Sequence, residues 1–214
     1  MVNIHTFIHS SIFLIILLPL SGCFEMEQII ELEENGGMRF ALHYAIPETH
    51  TAAFTQFHQA TRQWQGENPN DTWLLNKQAV HRQFPKPMFE STDYQVYSKA
   101  GKKHIRIAGT AKSASSALLS GAVGDFKLET LENGDQRLEL ALPTLSQSAS
   151  LSAEERQALL KAAEGLSVKL IIQTPAAVKT TNGQKNGEKK VTWTFGPGQA
   201  ADPGQLPPSL FVTY

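Results

Sequence analysis

The sequence predicts an α+β domain, in which a mainly antiparallel sheet of about six to eight strands carries about three helices on one face. Three observations predict this class. Several segments alternate apolar and polar residues on both sides of Gly-containing turns, as the strands of hairpins do. Three other stretches place their apolar residues at helical spacing. The chain of 214 residues, of which 41% are hydrophobic, is also long enough to bury one core.

The first predicted hairpin turns at an Asn-Gly-Gly sequence that ends at Gly37. A three-residue loop closed by a left-handed Gly37 puts Leu32 opposite Phe40. The same register puts Glu33 opposite Arg39 on the other face. A two-residue loop would mix apolar and charged side chains on each face, so the hydrophobic pattern selects the longer loop.

Three helices are predicted between the hairpins. Residues 49–64 carry an apolar stripe at helical spacing. Residues 72–84 form the second helix, with Asn70 or Asp71 as its N-cap and a Pro-x-Pro sequence behind it. Residues 152–164 begin with the Ser-x-x-Glu pattern of a capping box.

Two later hairpins have well-defined registers. A two-residue Ala-Gly turn pairs Lys99 with Lys102. A Glu-Asn-Gly loop at residues 132–134 pairs Leu128 with Leu138 and leaves opposite charges facing each other on the outer side. Between these hairpins, residues 111–124 are rich in Ala, Ser and Gly and form either a mobile connection or a helix of small residues.

The N-terminal leader divides the chain. Residues 12–18 are an unbroken apolar run, too short for the ~20 residues that span a bilayer and typical of a signal-peptide core. We therefore predict a signal peptide over residues 1–22, one α+β domain over 23–196, and a Pro/Gly-rich linker with a strand-like tail over 197–214. The leader has no Lys or Arg, which leaves an ordinary hydrophobic N-terminus or a misassigned start as the alternative.

Cys23 is the only cysteine of the chain, so it is unpaired, paired between chains or modified. The sequence Leu20-Ser21-Gly22-Cys23 resembles the lipobox of bacterial lipoproteins. This resemblance implies cleavage between Gly22 and Cys23, an S-diacylglyceryl thioether on Cys23 and acylation of its new amino group. Two or more acyl chains hold a protein stably on a membrane. Phe24 replaces the Asp that retains lipoproteins in the inner membrane, which favours the outer membrane facing the periplasm in a Gram-negative host.

The C-terminal quarter carries a second resemblance. An apolar strand ends at Pro175, an Asn-Gly turn follows at Asn182, and the sequence Val191-x-Trp193-x-Phe195 closes the pattern. This order resembles the end of the LppM-type bacterial lipoprotein domain. The resemblance implies an anchored α+β domain that binds lipid or another envelope component, with no catalytic residues to transfer.

No catalytic or metal-binding motif is present in the sequence. The mature chain has five histidines, none in a metal-ligand spacing, and the bland interpretation is that they lie on the surface: His43, His50, His58, His81 and His104. Neither a Gly-x-Ser-x-Gly elbow nor a phosphate-binding Gly loop occurs. We therefore predict no enzyme activity, no cofactor and no metal.

Three features leave alternatives open. Two basic groupings either contact anionic head groups or are solvated hairpin tips: Lys102, Lys103 and Arg106, and Lys185, Lys189 and Lys190. Trp64, Trp73 and Trp193 belong to the core or line an apolar cavity. The tail at residues 209–214 pairs within the protein's own sheet, which we favour, or adds to a partner's sheet.

The functional prediction is a membrane-anchored lipoprotein of the bacterial envelope that acts as a non-catalytic binding module for a lipid, an envelope polymer or a protein partner. A near-neutral charge, formally −1, excludes a typical nucleic-acid binder. The alternative is an envelope hydrolase or transferase with an unrecognised active site.

Overall fold

The computed structural model describes residues 24–52, 55, 76–142, 165–196, 199 and 206–214. The strands in these residues are β1 (Phe24–Leu32), β2 (Met38–Pro47), β3 (Phe89–Lys99), β4 (Lys102–Ala111), β5 (Phe126–Thr130), β6 (Gln136–Ala141), β7 (Leu166–Gln173), β8 (Thr180–Thr181), β9 (Gln184–Lys185), β10 (Lys190–Phe195) and β11 (Ser209–Thr213). The helical elements with both ends in the described residues are a 3-10 turn (Glu48–His50) and the α-helices α1 (Lys77–Gln83) and α2 (Ala114–Leu119).

The strands form two sheets that share one core. The larger sheet has seven strands in the order β3-β4-β2-β1-β7-β10-β9, and the smaller has four in the order β5-β6-β11-β8. Neighbours are antiparallel except β1 and β7, which run parallel. One cluster of buried apolar side chains joins Ile30 and Ile107 of the larger sheet to Leu138 and Val212 of the smaller. Burial of these side chains is the main source of stability.

The predicted α+β class is wrong, because the described residues are mainly strand, in two sheets, with only two short α-helices. The inner face of the larger sheet shares its core with a second sheet, where helices alone were expected. The predicted helices at 49–64 and 152–164 lie largely outside the described residues. The helix predicted over residues 72–84 is shorter than predicted. Its N-cap is Asn76, and not Asn70 or Asp71. The Asn76 side chain accepts hydrogen bonds from two backbone amides, and α1 has seven residues.

Two of the three predicted hairpin registers are confirmed. Lys99 pairs with Lys102, and Leu128 pairs with Leu138. In the first hairpin the faces are right but the partners are wrong, because Leu32 pairs with Met38 and not with Phe40. The left-handed residue of that loop is Gly36, with φ +82°, and not Gly37.

The structure decides two alternatives that the sequence left open, one at residues 111–124 and one at the C-terminal tail. Within residues 111–124, Ser113 caps α2 by accepting a hydrogen bond from the Ser116 amide, so this stretch contains a helix of small residues. The C-terminal strand β11 lies between β6 and β8 in the smaller sheet. The tail thus pairs within the protein's own sheet, as we favoured.

Candidate functional site

The larger sheet has two faces of different composition. Side chains alternate along each strand, so Ile30 and Leu32 of β1 point into the core. Their neighbours Ile29 and Glu31 point to the opposite side, which we call the outer face. The strand register then shows which outer-face residue of the neighbouring strand lies beside each of them.

Four apolar side chains lie side by side at the centre of the outer face. Ala108 of β4 pairs with Ala41 of β2, Ala41 with Ile29 of β1, and Ile29 with Ile171 of β7. We call these four residues the apolar row. With strands about 4.8 Å apart, the row is ~14 Å long.

Polar and charged residues flank the apolar row on both sides. One flank, the histidine-side row, consists of Arg106, His43, Glu27 and Lys169. The other flank, the arginine-side row, consists of Thr110, Arg39, Glu31 and Gln173. The outer face is therefore amphipathic across its strands, with an apolar centre and charged borders.

Ion pairs hold the charged borders in place. In the arginine-side row, Arg39 donates from Nη2 to Glu31 Oε1 at 2.6 Å and also contacts Glu33, Nε to Oε1, at 3.2 Å. In the histidine-side row, Lys169 Nζ lies 2.8 Å from Glu27 Oε2. In both rows a carboxylate on one strand lies beside a basic group on the next strand, and these opposite charges stabilise each other.

A shallow groove of about 500 Å³ lies over the β3, β4 and β2 part of this face. Its lining combines the apolar row with both charged borders and includes Ile29, Glu31, Arg39, Ala41, Asp93 and Arg106. The groove exists because Ala41 and Ala108, which form its floor on the outer face, are small. Such a groove can hold a ligand that has both an apolar part and polar groups.

Two histidines meet on the outer face, outside the groove lining but next to Arg106, which is part of it. Nε2 of His43 lies 3.0 Å from Nδ1 of His104, and the rings stack with centroids 5.2 Å apart. The ring of Tyr97 stacks on the other side of His104 at 4.9 Å. Burial lowers the pKa of His43, and the neighbouring His104 lowers it further, while Glu27 and Glu25 oppose this shift.

The contact between these two histidines is not predicted by the sequence, in which each is interpreted as a separate surface residue. They are 61 residues apart in the chain and meet diagonally across the pairing of β2 with β4. That pairing joins two separate hairpins, and no local pattern specifies it. A pair of histidines in contact can relay a proton, but among the described residues no hydroxyl or thiol is hydrogen-bonded to either ring.

The other predicted site residues are distributed as follows. Gly22 and Cys23 lie outside the described residues, and β1 begins at the next residue, Phe24. Trp193 belongs to the core, where its indole N–H donates to Asn182 Oδ1 at 3.1 Å. Trp64 and Trp73 are outside the described part of the chain.

The two basic groupings lie far apart. Lys102 is on the β3–β4 hairpin, with its Nζ 2.6 Å from Glu25 Oε1. Lys189 pairs with Glu34 at 3.4 Å, near the opposite end of the larger sheet. In the described residues, no three His, Cys, Asp or Glu side chains are close enough together to bind a metal ion. No helix of the described segments is long and apolar enough to cross a membrane.

Comparison with known proteins identifies the family to which the chain belongs. The family profile described as the LppM domain matches residues 60–203. The chain therefore belongs to the LppM domain family, a family of bacterial lipoproteins, and the resemblance predicted from residues 171–195 is confirmed.

One solved structure to which the chain is similar is the NMR structure of the folded domain of the Mycobacterium tuberculosis LppM protein. It is 14% identical to this chain, has a TM-score of 0.49, and the match covers 90% of this chain and 89% of that one. No curated protein sequence matches the chain.

Proposed function

We propose that this protein is a lipid-anchored lipoprotein of the bacterial envelope whose outer face binds an amphipathic lipid. Membership of the LppM domain family supports the lipoprotein part of the proposal. The single observation that supports binding is the apolar row between two charged rows. An acyl chain fits along Ile29, Ala41 and Ala108, and polar head-group atoms reach Arg106 or Arg39 at the borders.

The anchor belongs to the same proposal. Cleavage before Cys23 would leave a thioether-linked diacylglyceryl group on its sulfur and an acyl group on its nitrogen. The protein would then face the periplasm from the outer membrane of a Gram-negative host. The intact mass of the detergent-extracted protein should equal that of a chain starting at Cys23 plus acyl chains. An unmodified mass that includes the leader would contradict the anchor.

Lipid binding can be tested separately from the anchor by photocrosslinking in the envelope. A photoreactive benzoylphenylalanine at Ala108 should capture a lipid, detected as a mass increase on the full-length protein. The control position is Thr194, which lies on the outer face of β10, four strands away from Ala108. Capture of a polymer or a protein at Ala108 in place of a lipid would contradict the lipid assignment and support one of the other two ligand classes.

The alternative function is a hydrolase or transferase, and the hydrogen-bonded His43–His104 pair is the observation that favours it. Under this alternative the histidines would move a proton to or from the bound ligand. His104→Gln should then leave the captured ligand uncleaved, whereas the wild type would hold a shortened or modified product. A ligand of identical mass on both proteins would support simple binding.

A further inference from the structure

The larger sheet presents one of its ends toward the proposed anchor. Phe24 follows Cys23 directly, and its neighbour Glu25 pairs with Ala45 of β2. Ala45 pairs with His104 of β4, and His104 pairs with Tyr97 of β3. The same end of the sheet therefore carries the start of β1 and the turn between β3 and β4. We call residues 96–103 the hairpin tip.

The hairpin tip exposes apolar side chains on both of its faces. Val96 and Tyr97 are each 43% exposed, and among the described residues the only other large apolar side chain so exposed is Leu119, on α2. Because Val96 and Tyr97 are consecutive in a strand, one lies on each face of the hairpin. Tyr97 stacks on His104, yet close to half of its side chain, like that of Val96, stays accessible next to the turn.

Lysines complete the hairpin tip. Lys99, Lys102 and Lys103 flank the Ala-Gly turn. Lys102 is paired with Glu25, whereas neither Lys99 nor Lys103 forms an ion pair with a described carboxylate. Glu48 is another acid at this end, and its amide donates to the Gly101 carbonyl at 3.0 Å. The charge is thus only mildly positive, and the apolar side chains account for more of the expected affinity.

The combination of residue types points to the surface of a lipid bilayer. Tyrosine has an apolar ring and a polar tip, and it concentrates at membrane interfaces. Lysine can lay its apolar stem among lipids while its ammonium group stays in water or contacts an anionic head group. At the opposite end of the sheet, Glu33 and Glu34 of the β1–β2 loop are paired with Arg39 and Lys189, and the described residues there include no exposed tyrosine or valine.

We propose that the hairpin tip docks into the interface of the bilayer that holds the anchor, with Val96 and Tyr97 among the lipid head groups. The proposal rests on the anchor at Cys23. One end of the larger sheet would then lie at the membrane and the β1–β2 loop would point away from it. The outer face would stand roughly perpendicular to the bilayer, with its groove open at the side.

Environment-sensitive labels on the full-length lipidated protein test this orientation. Val96→Cys and, as the matched control, Leu119→Cys are labelled with a nitrobenzoxadiazole dye and reconstituted in phosphatidylcholine vesicles containing phosphatidylglycerol. The dye at position 96 should emit at shorter wavelength and be quenched by lipids brominated near the head group. The dye at position 119, which is exposed but away from the tip, should show neither effect.

Charge variants separate the lysines from the apolar side chains. Lys99→Glu with Lys103→Glu should weaken quenching at position 96 on anionic vesicles and have less effect on pure phosphatidylcholine. Lys189→Glu with Lys190→Glu, at the other end of the sheet, should leave the quenching unchanged. Equal quenching at positions 96 and 119 in an anchored protein would overturn the proposal.

Wild-type labelling distinguishes failure of the anchor from failure of the tip. A lipidated Cys23 cannot react with the dye, so a wild-type protein that takes up label contradicts the anchor and with it the proposed function. In that case Cys23→Ser in the labelled variants restores a single labelling site. Without an anchor, a shift at position 96 on adding vesicles still supports the tip, and no shift overturns it.

Discussion

Ile29 and Ile30 are identical residues on consecutive positions of β1, and they serve the two faces of the same sheet. Ile30 is fully buried in the core, where it shares the hydrophobic cluster with both sheets. Ile29 lies in the apolar row on the outer face, only partly covered. The inner face therefore contributes more buried apolar area per isoleucine at this point of β1 than the outer face does, and the outer face leaves part of Ile29 accessible.

The largest expected effect is the contrast between Ile30→Ala and Ile29→Ala. Truncation of the buried Ile30 should lower the free energy of unfolding by ~2–5 kcal/mol, because it removes buried methyl groups and leaves a cavity. Truncation of Ile29 should cost no more than about 1 kcal/mol, because part of its side chain already contacts water. Urea unfolding of both variants measures the difference, and equal losses would show that the outer face is part of the core.

A second contrast uses the neighbours Ala108 and Gly109 on β4. A Cβ atom at Gly109 would lie 2.5 Å from the Ser91 carbonyl oxygen and 2.7 Å from the Phe40 ring, so Gly109→Ala should cost ~1–3 kcal/mol through overpacking. Ala108→Ser, which changes the outer face, should lower the urea midpoint much less. A Gly109→Ala protein as stable as the wild type would show that β3 and Phe40 can move apart.

Charged residues at the border of the groove should matter less for stability. Arg39 is 57% exposed, although it bridges Glu31 and Glu33. Glu31→Gln should therefore lower the free energy of unfolding by less than ~1 kcal/mol, and high salt should reduce the loss. Unfolding in low and high salt checks both expectations. A salt-independent loss would mean that the contact is buried on the outer face.

The smallest effect concerns pH. The pKa of His43 is lowered in the folded protein, chiefly by burial and then by His104, from an ordinary value of 6.5. The unfolded chain therefore binds the proton more readily, so His43 leaves stability unchanged well above pH 6.5 and reduces it as the pH falls below that value. His43→Gln should flatten this decline in thermal midpoint, whereas His81→Gln, on the exposed side of α1, should leave it unchanged. A decline that persists in His43→Gln would assign it to another group.

Two loops with the same Glu-Asn-Gly sequence show how far the sequence determines the strands. At residues 132–134 the loop, and with it the pairing of β5 with β6, is predicted correctly. At residues 34–36 the same three residues form the same loop, with Gly36 N donating to Glu33 O as Gly134 N donates to Leu131 O. We placed that loop one residue too late because a second glycine, Gly37, follows. This moves the predicted partner of every β1 residue by two positions along β2. Because side chains alternate, each residue is still assigned to the correct face of the sheet, and the hydrophobic pattern does not reveal the error.

Contacts between distant segments account for the other failures. The pairing of β1 with β7 is parallel and joins residues more than 140 positions apart, which periodicity cannot detect. Periodicity also cannot detect the antiparallel pairing of β2 with β4. That pairing brings Ala41 beside Ala108 in the apolar row and brings His43 into contact with His104. Ala41 and Ala108 are unremarkable in the sequence and form a groove only once that pairing sets them side by side. The LppM-type resemblance, in contrast, rests on local residues and was recognised from them.

The position of β11 has a consequence for how the protein is made. This strand holds β6 and β8 together, so the smaller sheet cannot close until residues 209–213 have been synthesised. Until that moment a ribosome-bound chain would display unpaired strand edges of the smaller sheet, which favour aggregation. All the described strands of the larger sheet precede β11 in the chain, so the larger sheet can form before the smaller one closes.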